Sequence, residues 1–261
     1  VTAMHGLKNK IVAITRNERD AREFSQLVSE HGGRAIALPA IEIVPRETNV
    51  AKEFLDRLQK KKHDYCAFMS PQAVSVLFDL AGKAVMPALK STTVIAVGPK
   101  TKQALEERGV NVGLMPEKFS SAGLVGLLSS TKPAGKKIII PRSGAANEFA
   151  IEALTGLGMD VDEILLYNVR TSNISPIWRE FADLLRQNKV DAIVFTSASN
   201  VSSFFEIMGK VTAGNLYLEG LTKVVSIGPF TSKELEKKKT KCFEAKEHTV
   251  RGALELAMQI A

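Results

Sequence analysis

Histidine, cysteine and aromatic residues are scarce in this chain, and each scarcity closes a line of chemistry. The four histidines, His5, His31, His63 and His248, lie far apart without ligand spacing, so no metal site is expected and all four are read as surface residues. The two cysteines, Cys66 and Cys242, each inside an apolar stretch, read as buried free thiols rather than a disulfide. Aromatics make up only 6% of 261 residues, too few for the stacking surfaces of a nucleic-acid binder, and no recognition motif accompanies them. No apolar run approaches the roughly 20 residues of a membrane span. Residues 1–6 have neither the basic nor the apolar region of a signal peptide; Met4 is taken as the natural start and the cytoplasm as the location. A Gly-x-Gly-x-x-Gly fingerprint is missing after the first strand, where Thr15-Arg16-Asn17 stands instead. A Walker loop and a Gly-x-Ser-x-Gly elbow are missing too. No cofactor is suggested.

What is present is a basic chain of ordinary globular make-up. A hydrophobic content of 45% and a net charge of +7 fit two domains with their own cores and a partner that is an anion, whether phosphate or carboxylate. The lysine runs Lys60-Lys61-Lys62 and Lys237-Lys238-Lys239 fall at predicted helix ends, where they complement the helix dipole and stay solvated.

The chain also repeats itself. Asn9-Lys10-Ile11-Val12-Ala13-Ile14-Thr15-Arg16 returns as Lys136-Lys137-Ile138-Ile139-Ile140-Pro141-Arg142. Phe68-Met69-Ser70-Pro71-Gln72-Ala73-Val74 returns as Phe195-Thr196-Ser197-Ala198-Ser199-Asn200-Val201. Val97-Gly98-Pro99-Lys100-Thr101 matches Ile227-Gly228-Pro229-Phe230-Thr231, and Ser120-Ser121-Ala122-Gly123-Leu124 matches Thr249-Val250-Arg251-Gly252-Ala253. The shift stays near half the chain length, which predicts two similar lobes rather than a solenoid.

Short apolar runs alternate with amphipathic stretches, the pattern of an α/β chain with parallel sheets. Strands are expected at 10–15, 34–38, 64–69, 93–97, 111–115, 136–140, 159–166, 190–195, 223–227 and 240–244. Pro71, Pro99 and Pro229 stand at helix first turns, Ser175-Pro176 opens another helix, and glycines at 32–33, 109 and 158 stop helices. Two extended stretches, 39–45 and 165–171, break the rhythm; they read as a narrow two-strand hinge between lobes.

Six polar turns fall at the carboxyl ends of predicted strands, where α/β sheets bind ligands. They are Thr15-Arg16, Ser70-Pro71-Gln72, Gly98-Pro99, Arg142-Ser143-Gly144, Thr196-Ser197-Ala198-Ser199-Asn200 and Gly228-Pro229. Each is expected to pass directly into a helix, whose free N–H groups and positive dipole end suit an anion. A Ser or Thr before a helix is ordinarily a simple N-cap, but repetition at matched positions favours a ligand for the group. One exposed helix end gives an anion only ~0.3–1 kcal/mol, so a long polyanion gripped at many points fits best. Tyr167, in the second hinge stretch, offers a neutral proton donor or simple packing. Trp178 and Phe181 share a helical face and belong to the core. Lys223 opens a strand.

These segments, together with Leu38-Pro39-Ala40-Ile41-Glu42-Ile43 and Leu166-Tyr167, resemble the uroporphyrinogen-III synthase family over nearly the whole chain. The resemblance implies two flavodoxin-like parallel-sheet lobes joined by a two-stranded β linker, with the active site in the cleft between them. It implies 1–40 and 172–261 as a discontinuous lobe 1, and 41–171 as lobe 2 including the return linker. It implies a cofactor-independent lyase that closes hydroxymethylbilane. Loss of the terminal hydroxyl as water gives an azafulvene, a spiro intermediate forms at ring D, and the macrocycle closes with that ring inverted. Tyr167 would assist departure of the hydroxyl. The implied substrate-binding set is Thr15, Arg16, Ser70, Gln72, Ala73, Gly98, Thr101, Arg142, Ser143, Gly144, Ser197, Ala198, Ser199, Asn200, Lys223, Gly228 and Thr231, with Lys223 and Arg142 supplying charge. Asn147 stands where the family often has a second arginine, and Phe230 where it often has a small or hydroxylated residue. The implied partners are a small-molecule polycarboxylate, with no nucleic acid and no membrane, and transient contacts of a monomer with neighbouring pathway enzymes. A two-lobed binding protein for an organic anion or sugar phosphate remains the alternative, and a cofactor-free sugar-phosphate isomerase would need a base that none of the turns provides.

Overall fold

The structure, a computed structural model, describes residues 6–46, 49–144, 146, 148–213, 218 and 220–261; His5 and Asn147 lie outside these. The strands are β1 (Ile11–Ile14), β2 (Arg34–Ala37), β3 (Ile41–Pro45), β4 (Tyr65–Phe68), β5 (Thr93–Ala96), β6 (Lys137–Ser143), β7 (Asp160–Thr171), β8 (Ala192–Phe195), β9 (Lys223–Ser226) and β10 (Phe243–Glu244). The helices used below are α1 (Arg22–Glu30), α2 (Asn49–Lys60), α3 (Pro71–Ala81), α4 (Val85–Leu89), α5 (Pro99–Glu106), α6 (Ser121–Ser129), α7 (Phe149–Gly156), α8 (Pro176–Arg186), α9 (Ala198–Thr212), α10 (Pro229–Lys237) and α11 (Val250–Ile260).

Two five-stranded sheets form, in the orders β10-β9-β8-β1-β2 and β3-β7-β6-β4-β5. Within them β1, β2, β8, β9 and β10 pair parallel, as do β4, β5, β6 and β7. The first sheet has the flavodoxin order once its strands are counted along the chain. All four residues of β8 are buried, because helices cover both faces and leave no solvent side for a polar residue. The chain divides into two compact units: residues up to Glu42 with Arg170–Ala261, and Ile43–Val169. The two crossings fall inside β3 and β7. These strands run antiparallel, with Arg46 N–H on the Leu166 carbonyl and Ser172 N–H on the Ala40 carbonyl, both at 2.9 Å, and an Arg170–Glu42 ion pair at 2.7 Å.

The internal repeat is a repeat of folding chemistry. Ser70 and Ser197 cap α3 and α9, and Ser120 and Thr249 cap α6 and α11; each accepts the N–H three residues on. Gly98 and Gly228 occupy the N-cap positions of α5 and α10, followed in both cases by proline. Helices stop at Gly32, Gly109 and Gly158 with φ of 81°, 78° and 81°, where the absent Cβ makes the left-handed turn cheap. In the second unit, one sheet face carries a core of Phe54, Phe68, Val74, Leu77 and Leu166, and the other a core of Ile138, Ile140, Leu124 and Leu154.

Several expectations are corrected. Residues 111–115 do not form a strand; only Leu114 bridges Ile95. It holds the place in this sheet that β10, itself two residues long, takes in the other. The strand expected at 136–140 runs on through Pro141 and Arg142 to Ser143. His63 is buried rather than on the surface, its Nε2 2.7 Å from an Asp162 carboxylate oxygen that Lys61 also reaches at 3.2 Å. Cys66 is a buried free thiol, whereas Cys242 is only half-buried. One helical stretch among the described residues, Pro71–Leu89, is long and apolar enough to cross a membrane by length and composition, with 19 residues of mean hydropathy 1.2. It is broken at Gly82, where φ is 59°, and Val74, Leu77, Val85 and Leu89 sit in the core of the second unit.

Candidate active site

In each sheet the strand order reverses at one point, between β1 and β8 in the first and between β6 and β4 in the second. Ligands of open α/β sheets bind outside the carboxyl ends of the strands at such a point. In the second unit, Ser70 follows β4 and Ser143 ends β6. The Tyr167 hydroxyl hydrogen-bonds to the side chains of both serines. Tyr167 is 5% exposed. Burial pushes its phenol above the ordinary range, against the opposing effect of the two serine hydrogen bonds, so it is protonated at neutral pH. Ser70 also accepts the Ala73 N–H at 3.2 Å, so its cap fixes the hydroxyl that meets Tyr167. Gln72 lies in the first turn of the same helix.

The matching point of the first unit is sewn shut. Thr15 is fully buried, its Oγ1 lies 3.4 Å from Thr196 Oγ1 and accepts the Thr196 N–H at 3.2 Å, and Thr196 Oγ1 donates to the Thr15 carbonyl at 3.0 Å. Thr15 therefore ties β1 to β8 instead of offering a donor outward. Thr15-Arg16 does not enter a helix directly, since α1 begins only at Arg22. Partial burial draws the Arg16 guanidinium below its usual pKa, with Asp20 and Glu23 opposing; an arginine remains charged nonetheless.

At the start of α9, Ser197 Oγ accepts both the Asn200 backbone N–H at 3.1 Å and its side-chain Nδ2 at 2.7 Å, and Ala198 and Ser199 are the first two residues of the helix. Asn200 is 6% exposed and its Oδ1 has no partner. No side chain caps α5 or α10. Gly228 donates its N–H to Ser226 Oγ at 3.2 Å, so that donor is committed inside the protein. Gly98 and Gly228 have extended φ of −171° and 177°. A Cβ would make only ordinary contacts there, at 3.6 Å with Phe119 and 3.4 Å with the His248 ring. Neither backbone nor packing demands glycine at these two turns, which leaves room for something outside to come close. The third residue of each helix, Thr101 in α5 and Thr231 in α10, is buried.

Three charge and turn expectations change. Arg142 and Ser143 belong to β6, and α7 starts only at Phe149, so this segment is not a strand-to-helix turn. The Arg142 guanidinium is 5% exposed and pairs with Glu163 at 2.8 Å and Glu148 at 3.2 Å, so its charge is already matched within the protein. Lys223 opens β9, five residues before Gly228. At ~3.3 Å per residue it stands about 16 Å away, at the opposite edge of the sheet from that turn. Gly144 does sit beside the tyrosine: its N–H donates to the Tyr167 carbonyl at 2.8 Å, and a Cβ would lie 2.6 Å from Asn168 Oδ1. A cavity of about 680 Å³ in the same unit is lined by Arg46, Asn49, Glu53, Glu163 and Asn168 among others, but not by Tyr167. Among the described residues no cluster of three or more His, Cys, Asp or Glu could hold a metal. Sequence reading missed Glu148 and Glu163 as partners of Arg142; a basic residue on an otherwise apolar strand was the available signal.

The family model of uroporphyrinogen-III synthase HemD matches residues 22–255. The chain belongs to the uroporphyrinogen-III synthase family. Members of that family include a Methanothermobacter thermautotrophicus protein named as a putative uroporphyrinogen-III synthase, 28% identical over 243 residues that cover 93% of this chain and 95% of that one. The Chlorobaculum parvum uroporphyrinogen-III synthase is 27% identical over 231 residues, covering 87% and 89%. Solved uroporphyrinogen III synthases share the fold. The Thermus thermophilus mutant enzyme matches with a TM-score of 0.63 at 20% identity over 96% of this chain and 99% of that one. The Helicobacter pylori enzyme matches with a TM-score of 0.60 at 15% identity, covering 97% and 100%. The two-domain α/β architecture is thus that of uroporphyrinogen-III synthases, which serve porphyrin biosynthesis.

Proposed function

We propose that this protein closes hydroxymethylbilane to uroporphyrinogen III as a cofactor-independent lyase, acting as a cytoplasmic monomer that meets its pathway neighbours transiently. The observation that carries the reading is the Tyr167 hydroxyl held by Ser70 and Ser143 at a sheet switch point, in a chain of this family. Tyr167 donates a proton to the departing hydroxyl, directly or through water, the two serines fix the phenol, and the proton that the substrate loses on closure returns to the phenolate. No electron leaves the system, and the pyrrole nitrogen pushes out the leaving group, so the chemistry asks for a donor and a shape. The helix starts after Ser70, Gly98, Ser197 and Gly228 hold carboxylates, with Thr101, Thr231, Ser199 and Arg16 adding donors; a net charge of +7 draws in the polyacid. Binding fixes which face of ring D meets the azafulvene carbon, and that choice is the catalytic task.

The test is direct. Purified protein is given freshly made hydroxymethylbilane, and the type I and type III isomers are separated after oxidation. The type III isomer should dominate; the isomer ratio of spontaneous closure, even with tight substrate binding, would favour a binding protein instead.

A further inference from the structure

Side chains along β7 alternate between the two cores of the second unit, as a strand requires. Val161 packs on the Ile138 and Ile140 side, while Ile164 and Leu166 join the core of Phe68 and Val74 on the other. Tyr167 should swing back to the Ile140 side, yet it lies with Leu166 in the Phe68 core. The cause is a register shift: Arg142 pairs with Leu165 but Ser143 pairs with Tyr167, two steps along β7 for one along β6. A one-residue slip moves a side chain to the other face of a sheet. Here it delivers Tyr167 to the side where α3 begins at Ser70.

The shift is pinned on both sides. After it, Gly144 donates to the Tyr167 carbonyl at 2.8 Å. Before it, Arg142 Nε and Nη2 reach one Glu163 oxygen at 3.0 and 2.8 Å, and Nη2 also reaches Glu148. We propose that Arg142 is a positioning residue: its clamp on Glu163 and Glu148 holds the last regular rung of β6 and β7, so that the slip falls where it turns Tyr167 toward Ser70 and Ser143. The guanidinium fork holds two neighbours at fixed angles, which an ammonium does not. This rests on the proposed role of Tyr167, but its structural half stands without it.

Arg142→Met, Glu163→Gln and the double variant Arg142→Met/Glu163→Met are compared with the wild type in two measurements. Steady-state kinetics should give a fall in kcat on the order of ten-fold or more, with KM changed less than about three-fold. Ultraviolet titration of Tyr167, isolated by difference against Tyr167→Phe, should move toward an ordinary phenol. Arg142→Lys should recover part of both. If Arg142→Met fails to fold, Glu163→Gln and the double variant, which bury no lone charge, carry the same test. A rise in KM with kcat and the tyrosine titration unchanged would make Arg142 a substrate contact and overturn the proposal. Should Tyr167→Phe prove fully active, the functional reading falls, while the titration arm still decides whether Arg142 positions the phenol.

Discussion

Asp64 and Asp191 do one job in two places. Asp64 accepts the N–H of Lys137 at 2.8 Å, and Asp191 accepts that of Ile11 at the same distance. Each also binds the lysine just before that residue, Lys136 at 3.3 Å and Lys10 at 3.1 Å. The acceptor stands just before β4 in one unit and just before β8 in the other; the donor opens the neighbouring parallel strand. A carboxylate thus aligns the first rung of two parallel strands that no short hairpin could join.

The Lys137 N–H, ahead of the counteracting burial, holds the Asp64 carboxyl below its usual pKa. A depressed carboxylate stabilises the fold above its unfolded pKa, and that share is lost as pH falls through the folded value. Asp64→Asn should therefore show a shallower loss of urea midpoint from roughly pH 5 downward than the wild type. Parallel acid limbs for the two proteins would sink this.

Tyr167→Phe should lower turnover on the order of a hundred-fold or more, the scale of a lost general acid. It should cost about 1 kcal/mol of stability for the missing hydrogen bonds. Isomer-resolved kinetics and a denaturation curve check the two halves separately.

Ser197→Ala and Thr231→Val should weaken substrate binding modestly, since several helix starts share the carboxylates. Only Ser197→Ala should also lower stability, by ~1 kcal/mol, because its Oγ caps α9. Equilibrium binding and thermal melts on both variants distinguish ligand contact from capping. Equal stability losses would contradict the assignment.

Gly123 and Gly252 occupy matched places three residues after the caps Ser120 and Thr249. A Cβ at Gly123 would lie 1.8 Å from the Lys118 carbonyl oxygen, and at Gly252 2.5 Å from that of Glu247. Backbone cannot step aside like a side chain. Gly123→Ala and Gly252→Ala should each destabilise by more than about 2 kcal/mol, with Gly123→Ala the worse in thermal denaturation.

What could be read from residues alone was what is decided locally. Ser70, Ser197, Ser120 and Thr249 declare themselves because an N-cap needs only its own helix, and β8 declares itself because all four of its residues are apolar. Arg142 does not, because Pro141 looks like the end of a strand. β4 pairs with β6 only at Ile138 and Ile139, so a missing N–H at Pro141 breaks no ladder bond on that side. His63 looks like a surface residue for a similar reason: the carboxylate that lets it be buried, Asp162, lies 99 residues further along. Tyr167 stands out by its place in the hinge stretch, but its serine partners depend on a register slip that no spacing reveals.

The interleaved path of the chain has a consequence at the ribosome. β1 must wait for β8, whose residues follow it by about 180 positions (Ile11 and Asp191 mark the gap). At ~5–20 residues per second, that delay is on the order of ten to forty seconds. Unit Ile43–Val169 is complete in one stretch and emerges first, so its sheet forms while β1 and β2 are still without the β8 edge. Nascent chains are therefore most exposed to mispairing during this window, and a slowly translated stretch after residue 169 would lengthen it.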